Sequence, residues 1–474
     1  MKWSELLTGD EVLQVHQASL SILEEVGILV RNENARRIFI RAGCRADGDT
    51  RIIRMPAPLV EECRKAFPPS FTFHGRDPRY DRTIPADGPI MITASSAPDI
   101  IDPETGEKRR SLAGDIGRIA SLINALPGFD VFSISTLAAD APEGSMSLWR
   151  FYQALKHTVK PVRSNTPNMK ELAEVLDLGE LIACGREAYE ARPIITHHYC
   201  PVVSPLTMDV ESTEAVIYLT GRGLPVYGTI CPNAGMSAPM SLPATLALGN
   251  AEFLALAVLM QLVRPGAPLI YAVLATMADM RTGNYAPGAI ETAILQLGHG
   301  QLARFYGVPA GGYIGLTNAH SNDAQSGYET GIGTTAALLG GVDMFNMGGL
   351  LGSLMVFDFA KAVLDNEIAM MLKQLKKGFS FRTEDICLDL IREVGPGGTY
   401  MDQIHTLKKM RTAAYLPKVA DRDMWEKWEK EGRQAIDCPA LREARAILAR
   451  DNPAILDPDL DRQIISRFAG LEKI

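Results

Sequence analysis

Two periodicities divide this chain. Before about residue 88, apolar positions recur at helical spacing between turns: Val12, Leu13, Leu20, Ile22, Leu23 and Val26, with His16 on the same stripe, predict an amphipathic helix over 10–26 that Gly27 stops. From residue 89 the pattern becomes short apolar runs, each followed by a helix-length segment. Runs at 90–95, 131–136, 159–165, 194–200, 225–231, 268–274, 310–315 and 342–347 predict eight strands. The stretches 113–126, 147–156, 169–184, 211–221, 243–262, 289–306, 323–339 and 359–375 predict helices between and after them. Strands that alternate with helices pair in parallel, and eight such units in about 290 residues match a closed (β/α)8 TIM barrel. An open doubly wound sheet is disfavoured, because no strand turns into its helix through G-x-G-x-x-G. The expected organisation is an N-terminal helical cap (1–88), a (β/α)8 barrel (89–378) and a helical, charged C-terminal extension (379–474).

Composition narrows the class without naming an activity. Hydrophobic residues make up 46% and charged residues 22% of the 474, the usage of an ordinary folded protein with a large core. A formal charge of −8 argues against a nucleic-acid footprint, which shows as a basic face. The first residues carry acids and polar groups where a secretory signal needs a basic start and an apolar run. The most apolar stretch, 253–263, falls short of the ~20 residues that span a bilayer. Seven scattered cysteines with no C-x-x-C pair fit reduced thiols, not a disulfide framework or a structural zinc site. These features predict a cytoplasmic enzyme-sized protein.

Candidate chemistry concentrates in the glycine-rich run 309–353, two glycine-edged strand signals joined by one helix, because glycine lets backbone and polar side chains approach a ligand closely. In a barrel the reacting groups come from the C-terminal ends of strands. Those ends supply Ser95, Ser96, Ser135, Thr136, Arg163, Asn165, His198, Tyr199, Tyr227, Thr229, Tyr271, Tyr313, Asn318 and Asn346. They are rich in tyrosine, amide and hydroxyl groups and poor in acids. Glycoside hydrolysis needs two carboxylates there, and Asp343, early on its strand, is the one candidate. A Schiff-base lysine is excluded because Lys160 precedes Pro161 at the strand entrance. His197 and His198 are adjacent on a strand and face opposite ways, so they do not form one metal site; one packs outward and one sits in a polar layer. Near the last helix but one, Ser321 is favoured as N-cap, with Asp323 in the first turn or capping itself. Single tyrosines read as rim packing, but several at neighbouring strand ends suggest an aromatic cage, which attracts quaternary ammonium groups.

Leu23-Glu24-Glu25-Val26-Gly27, Phe73-His74-Gly75-Arg76-Asp77-Pro78, Gly249-Asn250-Ala251-Glu252 and Asp323-Ala324-Gln325 with Tyr328-Glu329 resemble the trimethylamine methyltransferase family. So do Leu364-Asp365-Asn366-Glu367-Ile368 and Val394-Gly395-Pro396-Gly397-Gly398 followed by His405-Thr406. The likeness runs from the first helix to about Arg411. It implies a (β/α)8 barrel that passes a methyl group from a methylated amine to Co(I) of a corrinoid (cobalamin) on a separate small protein. Founding members carry pyrrolysine in the barrel mouth; here the corresponding region, 348–357, holds ordinary residues. The chain thus resembles the branch without pyrrolysine, whose members use quaternary amines such as glycine betaine. A quaternary nitrogen already leaves as a neutral tertiary amine, so holding, aiming and drying the substrate suffice.

The corrinoid is expected on a partner, because none of the eight histidines has an Asp two residues before it, as D-x-H-x-x-G requires. That partner would cover the barrel mouth, and the family type implies self-association. Tyr199, Tyr227, Tyr271 and Tyr313 are expected to surround the ammonium, with His198, Arg163, Asn318 and Asn346 to meet a betaine carboxylate. His405 enters through the family phrase alone. Two alternatives stand beside this reading: a barrel lyase or isomerase acting on a small acid without corrinoid, and a non-catalytic betaine-binding sensor.

Overall fold

A computed structural model describes residues 4–473. The fold is mixed α/β, and the strand–helix alternation read from the sequence is present. Among its parallel strands are β1 (Ile90–Ile92), β2 (Phe132–Ser133), β3 (Val162–Ser164), β4 (Ile195–Tyr199), β5 (Val226–Gly228), β6 (Gly311–Tyr313) and β7 (Met344–Asn346). Strands β2, β3, β4 and β5 form one parallel sheet in that order. Strands β6, β7 and β1 form a second. Isolated parallel bridges lie between them, Ile92 to Val131 on one side, and Ile230 to Val273 and Tyr271 to Ala310 on the other. Segment 268–274, expected as a strand, pairs only through those last two bridges.

Alternation along these strands sorts side chains into two cores. Ile90, Ile92, Val131, Tyr227, Ile270, Ala272 and Met344 pack in one small cluster, joined by Phe71, Phe73 and Ile84. Their strand neighbours Met91, Phe132, Val162, Tyr271 and Phe345 belong to the larger cluster shared with the helices. This is the side-chain period of two expected of a strand whose faces are both buried.

The three inserted apolar residues come from the hairpin of Phe71–Phe73 with Arg82–Ile84. It lies at the N-terminal ends of the parallel strands: the Asp77 backbone N–H donates to Val159 O just before β3, and Arg82 pairs with Asp130 just before β2. One end of the inner core is thereby plugged, leaving the C-terminal ends for chemistry. The first 88 residues are therefore not purely helical. After the helix Gly9–Ser21 and a π-helical turn to Val26, Gly27 at φ +81° ends the element as expected. Ile28–Val30 then pairs antiparallel with Ile52–Arg54 and parallel with Thr207–Met208, because Ile28 and Val30 alternate with a half-buried Leu29.

The helices fall close to their expected places, among them Met146–His157, Leu242–Val263, Ile290–Tyr306, Ala324–Leu339 and Phe359–Lys377. Leu242–Val263 is, among the described residues, the one helix long and apolar enough to cross a membrane, and it lies buried inside the protein. In the C-terminal part, Asp437–Leu448 packs on Phe359–Lys377 and on Ala113–Ala125. Glu367 fixes the approach to it by accepting from the backbone N–H groups of Lys418, Val419 and Ala420.

Candidate functional site

Strand parity decides which expected residues meet. Arg163 on β3, His198 on β4, Tyr227 on β5, Tyr313 on β6 and Asn346 on β7 all turn inward at the C-terminal ends of their strands. Arg163 is fully buried. Its Nη1 donates to the Tyr227 hydroxyl at 2.6 Å and its Nη2 to Ser133 Oγ at 2.9 Å. Ser95 Oγ and the Tyr313 hydroxyl stand at 3.4 and 3.5 Å from Nη2. With its amide turned so that the oxygen faces the guanidinium, Asn346 accepts from both terminal nitrogens at 3.1 Å. Every one of these partners is neutral. Nε of Arg163 has none.

A buried guanidinium ringed by hydroxyl and amide oxygens keeps its proton, because burial opposes the charge but Tyr227 and Tyr313 outweigh it. His198 completes the ring. Its Nε2 lies 2.6 Å from Thr229 Oγ1, and its imidazole sits 4.9 Å from the ring of Tyr227 and 6.0 Å from that of Tyr313. Burial first, then the Arg163 charge, holds its pKa well below the ordinary histidine range. It is neutral at physiological pH. Burial likewise pushes the Tyr227 hydroxyl up to about 12. The ring thus carries the fixed positive charge of Arg163 at its floor and neutral, partly aromatic walls.

Tyr199 and Tyr271 do not join this ring. Tyr199 is one residue out of step with His198, so it turns to the helix layer, stacks on His197 and pairs with Thr166 Oγ1 at 2.8 Å. Tyr271 also faces outward, packed on Phe253 and donating to Asn250 Oδ1 at 3.1 Å. The four-tyrosine cage is therefore corrected to an inward pair, and the reason is the two-residue period of a strand. His197 packs outward near Phe151 with both ring nitrogens unpaired, as the adjacency rule predicted.

Asn318 serves the loop after β6. Its Nδ2 donates to Tyr285 O and Ser353 Oγ while Oδ1 accepts from the Gly288 N–H. Glu329 clamps the same loop through Thr317 and the Asn318 N–H. Asp323, not Ser321, is the N-cap, accepting from the Ser326 N–H; Ser321 donates to Asp323. His405 lies against Cys387 in the C-terminal part, and the structure does not bring it to the strand ends.

Sequence reasoning missed several neighbours. Ser133 stands two residues before the chosen strand end. Arg150, on Met146–His157, is a second buried guanidinium, donating to Thr136 O, Ser96 Oγ and Ser164 Oγ at 3.1 Å each. Tyr285 comes from Asn284–Ala286, a short strand antiparallel to Thr276–Asp279, and burial first, then Cys231, Tyr313 and Cys200, raise its pKa. A helix and a short antiparallel hairpin carry these two groups, where inspection of the parallel strands' ends does not look. The rejected Lys160 is confirmed as structural: its Nζ donates to the carbonyls of Ile123, Leu126 and Phe129 at 2.7 Å each.

The family phrases mostly hold backbone. Asp365 accepts from the Gly349 N–H, where Gly348 and Gly349 at φ +112° and +79° turn the chain after β7. A Cβ on Gly348 would meet the Phe129 ring at 2.5 Å. Asn366 accepts from the Gly128 N–H. Among the described residues, no group of three or more His, Cys, Asp or Glu stands where it could hold a metal ion. A pocket of about 230 Å³ lies between Ile290–Tyr306 and Ala324–Leu339, lined by Gln296, Tyr328 and Glu329, and does not include Arg163.

Comparison with known proteins finds relatives along nearly the whole chain. The glycine betaine methyltransferase of Desulfitobacterium hafniense (strain Y51) is 31% identical over 97% of this chain and 95% of its own length. The trimethylamine methyltransferase MttB of another strain of that species is 28% identical over 94% of this chain and 90% of its own. That of Methanosarcina thermophila is 27% identical over 96% and 95%. These relatives are methyltransferases. The profile described as Trimethylamine methyltransferase (MTTB) matches residues 1–469, and the chain belongs to that family.

Proposed function

We propose that this chain transfers a methyl group from a small quaternary amine that also bears a carboxylate, glycine betaine first, to Co(I) of a corrinoid carried by a separate protein. The observation that carries this reading is Arg163, a buried cation whose polar partners, Tyr227, Ser133, Ser95, Tyr313 and Asn346, are all neutral. Such a charge is costly unless an anion approaches it, and a carboxylate meets a guanidinium through strong charge-assisted bonds. A zwitterion bound that way points its ammonium outward, past neutral His198 and the ring of Tyr313, whose face attracts cations.

The protein's part is then binding, aim and exclusion of water. Arg163, with Asn346 and Ser95, holds the carboxylate; Tyr313 and Tyr285 flank the ammonium. The nucleophile is the cobalt of the partner, and the nitrogen departs as a tertiary amine without a proton from the chain. The scaffold proposed is a closed (β/α)8 barrel. Two parallel sheets, bridges on both sides of 268–274 and at Ile92 to Val131, and a separate inner core support it. The partner would dock over the C-terminal strand ends.

Phe379, Phe381, Met401 and Ile404, exposed by 86%, 74%, 84% and 68%, support self-association through the stretch 379–425, since exposed apolar patches of this kind mark interfaces. Titration calorimetry tests the substrate reading. Glycine betaine is expected to bind measurably, with trimethylamine and choline at least roughly tenfold weaker because they leave Arg163 without an anion. Equal affinity for all three would remove the argument.

A further inference from the structure

Two cysteines from different strands meet at the open end of the site. Cys200 follows Tyr199, and Cys231 lies three residues beyond Gly228, in strands paired so that Tyr199 stands opposite Gly228. The pairing runs on past the strands, with the Thr229 N–H donating to Tyr199 O at 2.8 Å. One inward position earlier on the same two segments His198 and Thr229 are 2.6 Å apart; Cys200 and Cys231 repeat that 31-residue offset two positions further along, and each thiol perturbs the ionisation of the other. Both are free, and each exposes surface to solvent from within a crowded cleft. Cys44 and Cys63, which also neighbour one another, are buried, so no oxidant reaches them in the folded protein.

The groups facing the pair favour reaction. The hydrogen bond from Cys231 lowers the pKa of Cys200, burial opposes that, and the Arg163 charge adds to the lowering. Cys231 moves the other way, raised by its bond to Cys200, by burial and by Glu252. Asp209 also faces Cys200 and disfavours its thiolate. Tyr285, an expected wall of the ligand space, feels both sulfurs. With the Arg163 charge on the side of Cys200 and Glu252 on the side of Cys231, Cys200 is the member suited to attack, because the thiolate is the nucleophile in exchange.

We propose that Cys200 and Cys231 are a redox-responsive dithiol, closed to an intramolecular disulfide by a low-molecular-weight disulfide and reopened by thiols. Cys200 thiolate attacks one sulfur of the oxidant, whose S–S bond breaks and releases one thiolate. Cys231 then loses its proton to solvent and attacks the Cys200 sulfur, releasing the second thiolate. Two electrons pass from the protein dithiol to the oxidant, which leaves as two thiols. Because the pair borders the space beside Tyr285 and Tyr313, closure is expected to weaken betaine binding; that consequence alone rests on the function proposed above.

The test incubates the reduced protein with glutathione disulfide. Denatured thiol titration is expected to find two fewer than the seven cysteines of the sequence, with an intact mass lower by two hydrogens. Trypsin, which cuts after Arg222, is expected to yield one cross-linked pair of peptides carrying Cys200 and Cys231. Cys200→Ser and Cys231→Ser, checked for folding by circular dichroism, should each lose that cross-link, and dithiothreitol should restore seven thiols in the native protein. Seven thiols after oxidation, or glutathione adducts without the cross-link, would overturn the proposal. Failure of both forms to bind betaine, with the cross-link present, would count against the proposed substrate and not against the dithiol.

Discussion

At the residue scale, Arg163 is the group on which the substrate reading turns. Its guanidinium is held by five neutral side chains at the ends of β1 to β7 or just beyond them, so it offers an anion a preorganised partner in a dry setting. Arg163→Gln is expected to weaken glycine betaine binding by roughly 10- to 100-fold, the range for a lost hydrogen bond to a charged group, while Tyr271→Phe, which loses only its bond to Asn250, should leave affinity intact and cost about 1 kcal/mol of stability. Calorimetry paired with thermal unfolding separates the two. The chemistry of Arg163, His198, Tyr227, Tyr313 and Asn346 was legible because strand ends are predictable from alternation. What the sequence left open was phase: a one-residue ambiguity in where each strand ends let outward Tyr199 and Tyr271 pass as site residues.

At the scale of elements, the buried acid of the helix Leu242–Val263 couples a loop to pH. Glu252 accepts from Ser204 Oγ and from the Leu206 N–H, fixing the turn that leads into Thr207–Met208. Burial outweighs those bonds and lifts its pKa from 4.5 to about 7. An acid whose folded pKa is raised stabilises the fold while protonated; stability is therefore lost as pH rises from its unfolded value through about 7. The loss attributable to this group is roughly 2–3 kcal/mol. Buried His197, His198 and His299, whose pKa burial lowers, contribute the opposite slope, so the measure is the difference: from about pH 5 to about pH 8 the unfolding midpoint of Glu252→Gln should gain on that of the wild-type protein. Asp343, raised to about 6 mainly by burial, leaves a residual slope of the same sign. An unchanged slope in the variant would show that Glu252 does not titrate in this window. Helices were the most legible elements, since their stripes of 3.6-residue period are long. Segment 268–274 was less so: its apolar run predicted a strand, but register with its neighbours gives only two bridges. The Phe71–Phe73 hairpin went unread because three-residue strands carry too little period to register.

At the scale of the whole molecule, the N-terminal hairpin closes one end of the parallel strands and the C-terminal part exposes apolar residues that a single chain leaves uncovered. Phe379 and Ile404 lie in that stretch, and replacing both with serine is expected to lower the molar mass measured by light scattering during gel filtration; a wild-type protein that elutes as a monomer would contradict self-association. Such surfaces are invisible to periodicity, which records what one chain buries and not what a second covers. The same limit hid the Cys200–Cys231 contact, since partners 31 positions apart in the sequence meet only once strands pair. The central claim is methyl transfer from a quaternary amine, and the visible spectrum of the corrinoid tests it most directly. With the chain, a reduced Co(I) corrinoid protein and glycine betaine under anaerobic conditions, the Co(I) absorbance is expected to give way to that of methyl-Co(III), and trimethylamine should produce little change. A Co(I) spectrum that persists with glycine betaine and every other carboxylate-bearing quaternary amine would contradict the account.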